Sequence, residues 1–167
     1  MNRLILGIDP GTTESGICVI ERGQFDQVKI QVADKISNDE CFKMLFEAEA
    51  VGTDHMEIVI EGMGFQARAF GKDSIITCYN IGRMLQICDQ INNPAAIYTR
   101  HQYGRHFVST GGINDGSLRA ALEEIYGPSK KKGDPLFQLR GASDKRSAFA
   151  IAKYHEFKLA KVEAMSD

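Results

Sequence analysis

The chain has 167 residues, a formal net charge of −2, 43% hydrophobic and 25% charged residues. These totals describe one domain, residues 1–167, large enough to bury a core without staples. They exclude a disulfide scaffold: Cys18, Cys41, Cys78 and Cys88 are scattered, form no Cys-x-x-Cys pair, and read as small buried hydrophobes of a reduced, cytoplasmic protein. No apolar run approaches membrane-spanning length, and one arginine followed directly by a strand lacks the pattern of a signal peptide.

The near-neutral total hides an asymmetry. Residues 1–61 hold five Lys and Arg against twelve Asp and Glu, a net of −7, whereas residues 62–153 hold thirteen against seven, a net of +6. Such a division suits a carboxylate metal site beside a phosphate-binding surface.

In chain order, Leu4, Ile5, Leu6 and Ile8 form an apolar run of the kind that makes a strand buried on both faces. Asp9 ends that run, and Pro10 and Gly11 turn the backbone away, leaving the carboxylate at a strand end. Ile17, Val19 and Ile20 resume the pattern as the second arm of a hairpin, and residues 28–32 alternate as a third strand. Ser37, Asn38 and Asp39 supply N-cap chemistry for an amphipathic helix reaching about Val51. Residues 57–62 form another short apolar strand, ending in Glu61 and Gly62. After a loop to Gly71, a helix is expected from Asp73 to about Ile91, with apolar residues spread widely around it. It serves either as a central core helix or, through its surplus apolar face, as a dimer contact.

Residues 95–98 read as a fifth strand, parallel to its neighbour because a helix separates them. The stretch from Arg100 to Asp115 is rich in Arg, His and Gly. A helix over 117–126 follows, then a mobile polar loop over 127–141 carrying Lys130, Lys131 and Lys132, and a last helix from Ser143 or Asp144 to about Ala160. Asp144 lies in the first turn of that helix, and Ser147 is on the same side.

Asp9, Glu61 and Asp144 thus make a constellation of carboxylates, which would repel one another unless cations share the site. Oxygen-only ligands suit Mg²⁺ or Mn²⁺. Two such ions about 3.5–4 Å apart can activate water and stabilise a leaving oxygen in phosphodiester hydrolysis.

These residues resemble the RuvC-type Holliday junction resolvases, an α/β family with the ribonuclease H-like fold: a mixed five-stranded sheet, part antiparallel meander and part parallel, flanked by helices. Leu6-Gly7-Ile8-Asp9-Pro10-Gly11-Thr12 is similar to the family's opening strand and turn, and Val59-Ile60-Glu61 to its second acidic strand. Gly111-Gly112 followed by Arg119-Ala120-Ala121-Leu122 resembles its glycine and Lys-x-x-Val segment, with Arg119 for the lysine. Asp144-Lys145-Arg146-Ser147-Ala148-Phe149-Ala150-Ile151-Ala152 resembles the closing Asp-x-x-Asp-Ala-Leu-Ala-Ile-Ala helix, with Ser147 in place of the last carboxylate. The departures suggest a divergent, phage-borne member.

The resemblance implies a homodimer whose two sites cut symmetrically opposed strands of a four-way DNA junction. Asp9, Glu61 and Asp144 would be metal ligands, and Ser147 would hold a metal-bound water. Phe65 falls where the family places an aromatic near the crossover, with core packing the alternative. Arg68, Lys72, Arg100, Arg105, Arg119, Lys145 and Arg146 are candidate phosphate contacts. His101 and His106 flank Arg105 and could touch DNA, whereas His155 reads as a helix-surface residue. Two rivals remain: a junction-binding protein without cleavage, favoured by Ser147, and a nucleotide-binding module of the actin and sugar-kinase type, disfavoured by the absence of a second phosphate loop.

Overall fold

A computed structural model describes residues 3–23, 28–51, 56–64 and 71–166. Five strands form one sheet in the order β3-β2-β1-β4-β5, with β1 (Leu4–Asp9) at its centre. β2 (Glu14–Glu21) returns antiparallel to β1 across the Pro10–Thr13 turn, and β3 (Ile30–Ser37) continues the meander. On the other side β4 (Met56–Gly62) runs parallel to β1, and β5 (Ala96–Thr99) parallel to β4. This is the expected mixed α/β sheet. The third strand is longer than its alternating pattern indicated, because pairing with β2 carries it to Ser37 past an irregularity at Val19 and Ile20.

The side-chain period of two divides the core between the faces. Leu6, Ile8, Ile17, Ile58 and Ile60 pack beneath α1 (Asn38–Val51) and α2 (Lys72–Gln90). Ile5, Cys18, Ile20 and Val59 face α3 (Arg100–Phe107), α4 (Asp115–Tyr126) and α5 (Ser143–Glu163). Ser37 starts α1 as a capping box: its N–H and hydroxyl donate to Glu40 at 2.9 and 2.7 Å, and the Glu40 N–H returns to its Oγ at 3.2 Å.

Several expectations need correction. The stretch after Thr99, for which the sequence suggested no element, begins with a helix, because Thr99 and Gln102 close a capping box ahead of it. The 127–141 connection is folded rather than a mobile loop. It contains a short 3₁₀ turn, and Leu136 and Leu139 insert into the core. α2 buries one face through Met84, Ile87 and Cys88 and leaves Ile75 and Tyr79 46% and 69% exposed, so it is not enclosed in the core. Cys78 on the same helix is exposed, unlike Cys18, Cys41 and Cys88. His155 is buried, with its ring nitrogens 3.2 Å from the Tyr98 hydroxyl and 2.9 Å from Glu57. Phe65 and Arg68 lie outside the described residues. Among the described residues no helix is long and apolar enough to cross a membrane.

Candidate active site

The parallel pairing of β1 and β4 puts Asp9 and Glu61 side by side at the same end of the sheet, on the face covered by α5. The two carboxyls lie within hydrogen-bonding reach of each other. Burial pushes the Asp9 carboxyl up to about 8, and the charges of Glu61 and Asp144 add to the effect. Glu61 is also raised by burial, against hydrogen bonding from Tyr103 and the nearby Arg100 charge. Two desolvated carboxyls side by side repel each other when ionised, a repulsion that a proton or a cation relieves.

The approach of α5 depends on two glycines. A Cβ at Gly7 would overlap the Ala148 carbonyl oxygen and stand 3.0 Å from the Ala152 Cβ. One at Gly16 would overlap the backbone carbonyl of Asp144 and stand 2.7 Å from its Cβ. Gly16 is also the register partner of Asp9. With no side chain at either position, the first turn of α5 settles onto the sheet and brings Asp144 within electrostatic range of Asp9. Ser147, one turn on and 1% exposed, donates its hydroxyl to Asp9.

The turn after Asp9 is held from two helices. Asn80 of α2 donates to the carbonyls of Gly11 and Thr12 at 3.0 and 3.1 Å, and Asn38 donates to Gly11 at 3.2 Å. Ser15 fixes the Asn38 side chain by donating to its Oδ1 at 2.6 Å. Asp9, the 10–13 turn, Glu14, Lys35 and Asp144 line an open cleft of about 140 Å³.

Three participants were not visible in the sequence. The buried Tyr103 hydroxyl donates to Glu61 at 2.7 Å, orienting that carboxylate from α3. Lys35, at the end of the extended β3, is 3.0 Å from Asp144 and 3.4 Å from Glu14. Asp115 pairs with Arg100, whose charge also acts on Asp9 and Glu61. The capping pattern of α3 was the one local signal for Tyr103, since that helix puts it three residues after Arg100.

The remaining basic candidates divide. Arg100 stands beside the carboxylates. Arg119 pairs with Glu123 at 3.0 Å, and Arg146 reaches the Leu139 carbonyl at 3.3 Å. Arg105 is exposed and donates to the Gly111 carbonyl at 2.9 Å, away from Asp9 and Glu61 in the contacts it makes. Lys72 is exposed at the start of α2, and Lys145 is half-buried within Coulombic range of Cys18. His106 is half-buried and packs edge-on or tilted against the rings of Phe107, Tyr154 and Phe157.

Asp9, Glu61 and Asp144 offer only oxygen, which suits Mg²⁺ or Mn²⁺. Among the described residues, no three Asp, Glu, His or Cys side chains stand close enough together to hold one ion as they lie. Asp144 is paired with Lys35 instead. As they lie, Asp9 and Glu61 are the two carboxyls that meet at the strand ends, and Asp144 would join them only on leaving Lys35.

The sequence matches no protein-family model and no curated protein. Solved structures do match. RuvC of T. thermophilus in complex with a Holliday junction substrate superposes with a TM-score of 0.72 at 16% identity, covering 94% of each chain. A second T. thermophilus RuvC structure gives 0.67 at 16% identity over 95% of this chain and 96% of that one. The yeast mitochondrial Holliday junction resolvase Ydc2 gives 0.63 at 10% identity over 96% and 80%. Element order, sheet topology and these superpositions agree that the chain has the ribonuclease H-like fold of the RuvC-type resolvases.

Proposed function

We propose that this protein is a divalent-metal-dependent endonuclease that resolves four-way DNA junctions, acting as a homodimer. The observation that carries the reading is the meeting of Asp9 and Glu61 on adjacent parallel strands with Asp144 above them, in a fold shared along nearly the whole chain with junction resolvases. Asp9, Glu61 and Asp144 would hold the ions, two per site, and Ser147 would keep a water in their shell. When bound, such ions supply an activated water and stabilise the leaving oxygen. Tyr103 keeps the Glu61 carboxylate turned inward, and Arg100 offers positive charge beside both acids. Phe65 and Arg68, with Lys72, Arg105 and Lys145, would contact the branched DNA.

Paired incision needs two sites, and α2 offers the surface for a two-fold contact through its exposed Ile75 and Tyr79. Tyr79→Glu should then yield monomers in sedimentation. The functional reading is tested by Asp9→Asn and Glu61→Gln. Each should abolish Mg²⁺-dependent incision of a synthetic junction while junction affinity stays close to wild type, because phosphate contacts lie elsewhere. Full incision by either variant sinks the assignment.

A further inference from the structure

The 127–141 connection has an internal architecture that the carboxylate site does not require. Gly127, Gly133 and Gly141 take φ values of +101°, +103° and +92°, which suit glycine and fold the segment back on itself. The Asp134 carboxylate accepts the N–H groups of Lys130 and Lys131 at 2.8 and 2.7 Å, and Ser129 donates to Glu123. With Leu136 and Leu139 anchored in the core, Lys130 and Arg140 are brought against Arg119 of α4 and Arg146 of α5. The result is a cleft of about 250 Å³ lined by these four cations, Ser129 and Gly141. It has room for a phosphate group together with several waters, given about 30 Å³ per water.

The charges are not balanced locally. Of the carboxylates within electrostatic range of Arg146, Glu123 is already occupied by Arg119 and Ser129, Asp115 is paired with Arg100, and Asp144 is paired with Lys35. The buried Arg146 Nε has no hydrogen-bond partner among the described residues, although its Nη1 reaches Leu139. An unsatisfied buried donor among converging like charges is unfavourable unless an anion completes the site. Arg146 lies two residues after Asp144 and within electrostatic range of it, so the cleft adjoins the carboxylate site.

We propose that this cleft is a binding site for one backbone phosphate of the DNA, adjacent to the scissile phosphate and separate from it. The assignment rests on the proposed function for the identity of the ligand. Its own basis is four converging cations, one of them with a buried unpaired donor, held by a folded connection.

The test measures affinity for a junction and for linear duplex against salt concentration, for wild type and Lys130→Gln/Arg140→Gln. Loss of one phosphate contact should reduce the magnitude of the log–log slope by about 0.9, equivalent to a roughly fivefold weaker complex at 0.15 M salt. Lys131→Gln/Lys132→Gln, with the same charge change outside the cleft, should leave the slope as in wild type. Titration of inorganic phosphate against the Arg146 Nε–H resonance should give a saturable shift that the pocket variant loses.

Equal slopes for wild type and the pocket variant would overturn the proposal, as would an equal loss in the Lys131/Lys132 control. A response to inorganic phosphate with no response to DNA would also overturn it, leaving a free-anion site. Because these readouts need no cleavage, they separate the two readings. Junction cutting by wild type with unchanged slopes refutes the cleft alone, whereas altered slopes without cutting by wild type refute the nuclease.

Discussion

Replacing Gly16 with alanine should separate Asp144 from Asp9. The new Cβ would overlap the Asp144 carbonyl and stand 2.7 Å from the Asp144 Cβ, whereas carbon atoms rest about 3.5–4.0 Å apart. Both obstacles belong to the backbone or first side-chain atom of α5, so no rotamer change relieves them; the helix start must retreat by roughly 1 Å. Overpacking of this kind costs about 1–3 kcal/mol, and a shift of about 1 Å at a reacting centre can cost on the order of 100-fold in rate. Gly82→Ala supplies the comparison. It lies inside α2 with nothing within 4 Å of its Cβ, and should stabilise the protein by up to about 1 kcal/mol. Urea unfolding read by circular dichroism measures the stability, and single-turnover incision of a junction measures the rate. A Gly16→Ala protein with an unchanged urea midpoint and wild-type incision would refute the claim that this contact positions Asp144.

Other predictions follow from the electrostatics and the hydrogen bonds. Without metal, folded Asp9 keeps a proton that the unfolded chain releases above its ordinary value, so stability should fall as pH rises from about 4 to about 8. Asn at position 9 removes that dependence and should leave the metal-free variant about 2–4 kcal/mol more stable than wild type at pH 8.5; parallel pH-stability curves would contradict this. Tyr103→Phe keeps the ring but removes the donor to Glu61, and should lower the incision rate about 10-fold and raise the Mg²⁺ needed for half-maximal rate; unchanged metal dependence counts against an orienting role. Ser147→Ala should cost far less activity than Asp144→Asn, and Ser147→Asp should lower the metal requirement; equal inactivity of Ser147→Ala and Asp144→Asn would make the serine a direct participant.

The parts of this fold legible in the sequence are those written in local periodicity. The Leu4–Asp9 run, the hairpin after it and the apolar strand ending at Glu61 announce themselves by hydrophobic pattern and turn chemistry, and α5 by its alanine-rich face. What stayed hidden depends on contacts between distant elements. Tyr103 matters because its hydroxyl reaches Glu61, forty-two residues away in sequence. Lys35 reaches Asp144 because β3 extends further along β2 than its own alternation indicates. His155 carries a polar side chain on a helix and reads as surface, yet Tyr98 and Glu57 satisfy it in the interior. The 127–141 connection has the composition of a loop, and two buried leucines and the Asp134 carboxylate give it structure.

The most direct test of the central claim is incision of a synthetic four-way junction, a fork and a linear duplex side by side, with and without Mg²⁺ or Mn²⁺. The account predicts paired, symmetric nicks in the junction only with the metal, little cutting of linear duplex, and none by Asp9→Asn. Tight junction binding with no incision in either metal, restored by Ser147→Asp, would contradict it and identify a junction-binding protein whose nuclease site lacks a working fourth ligand.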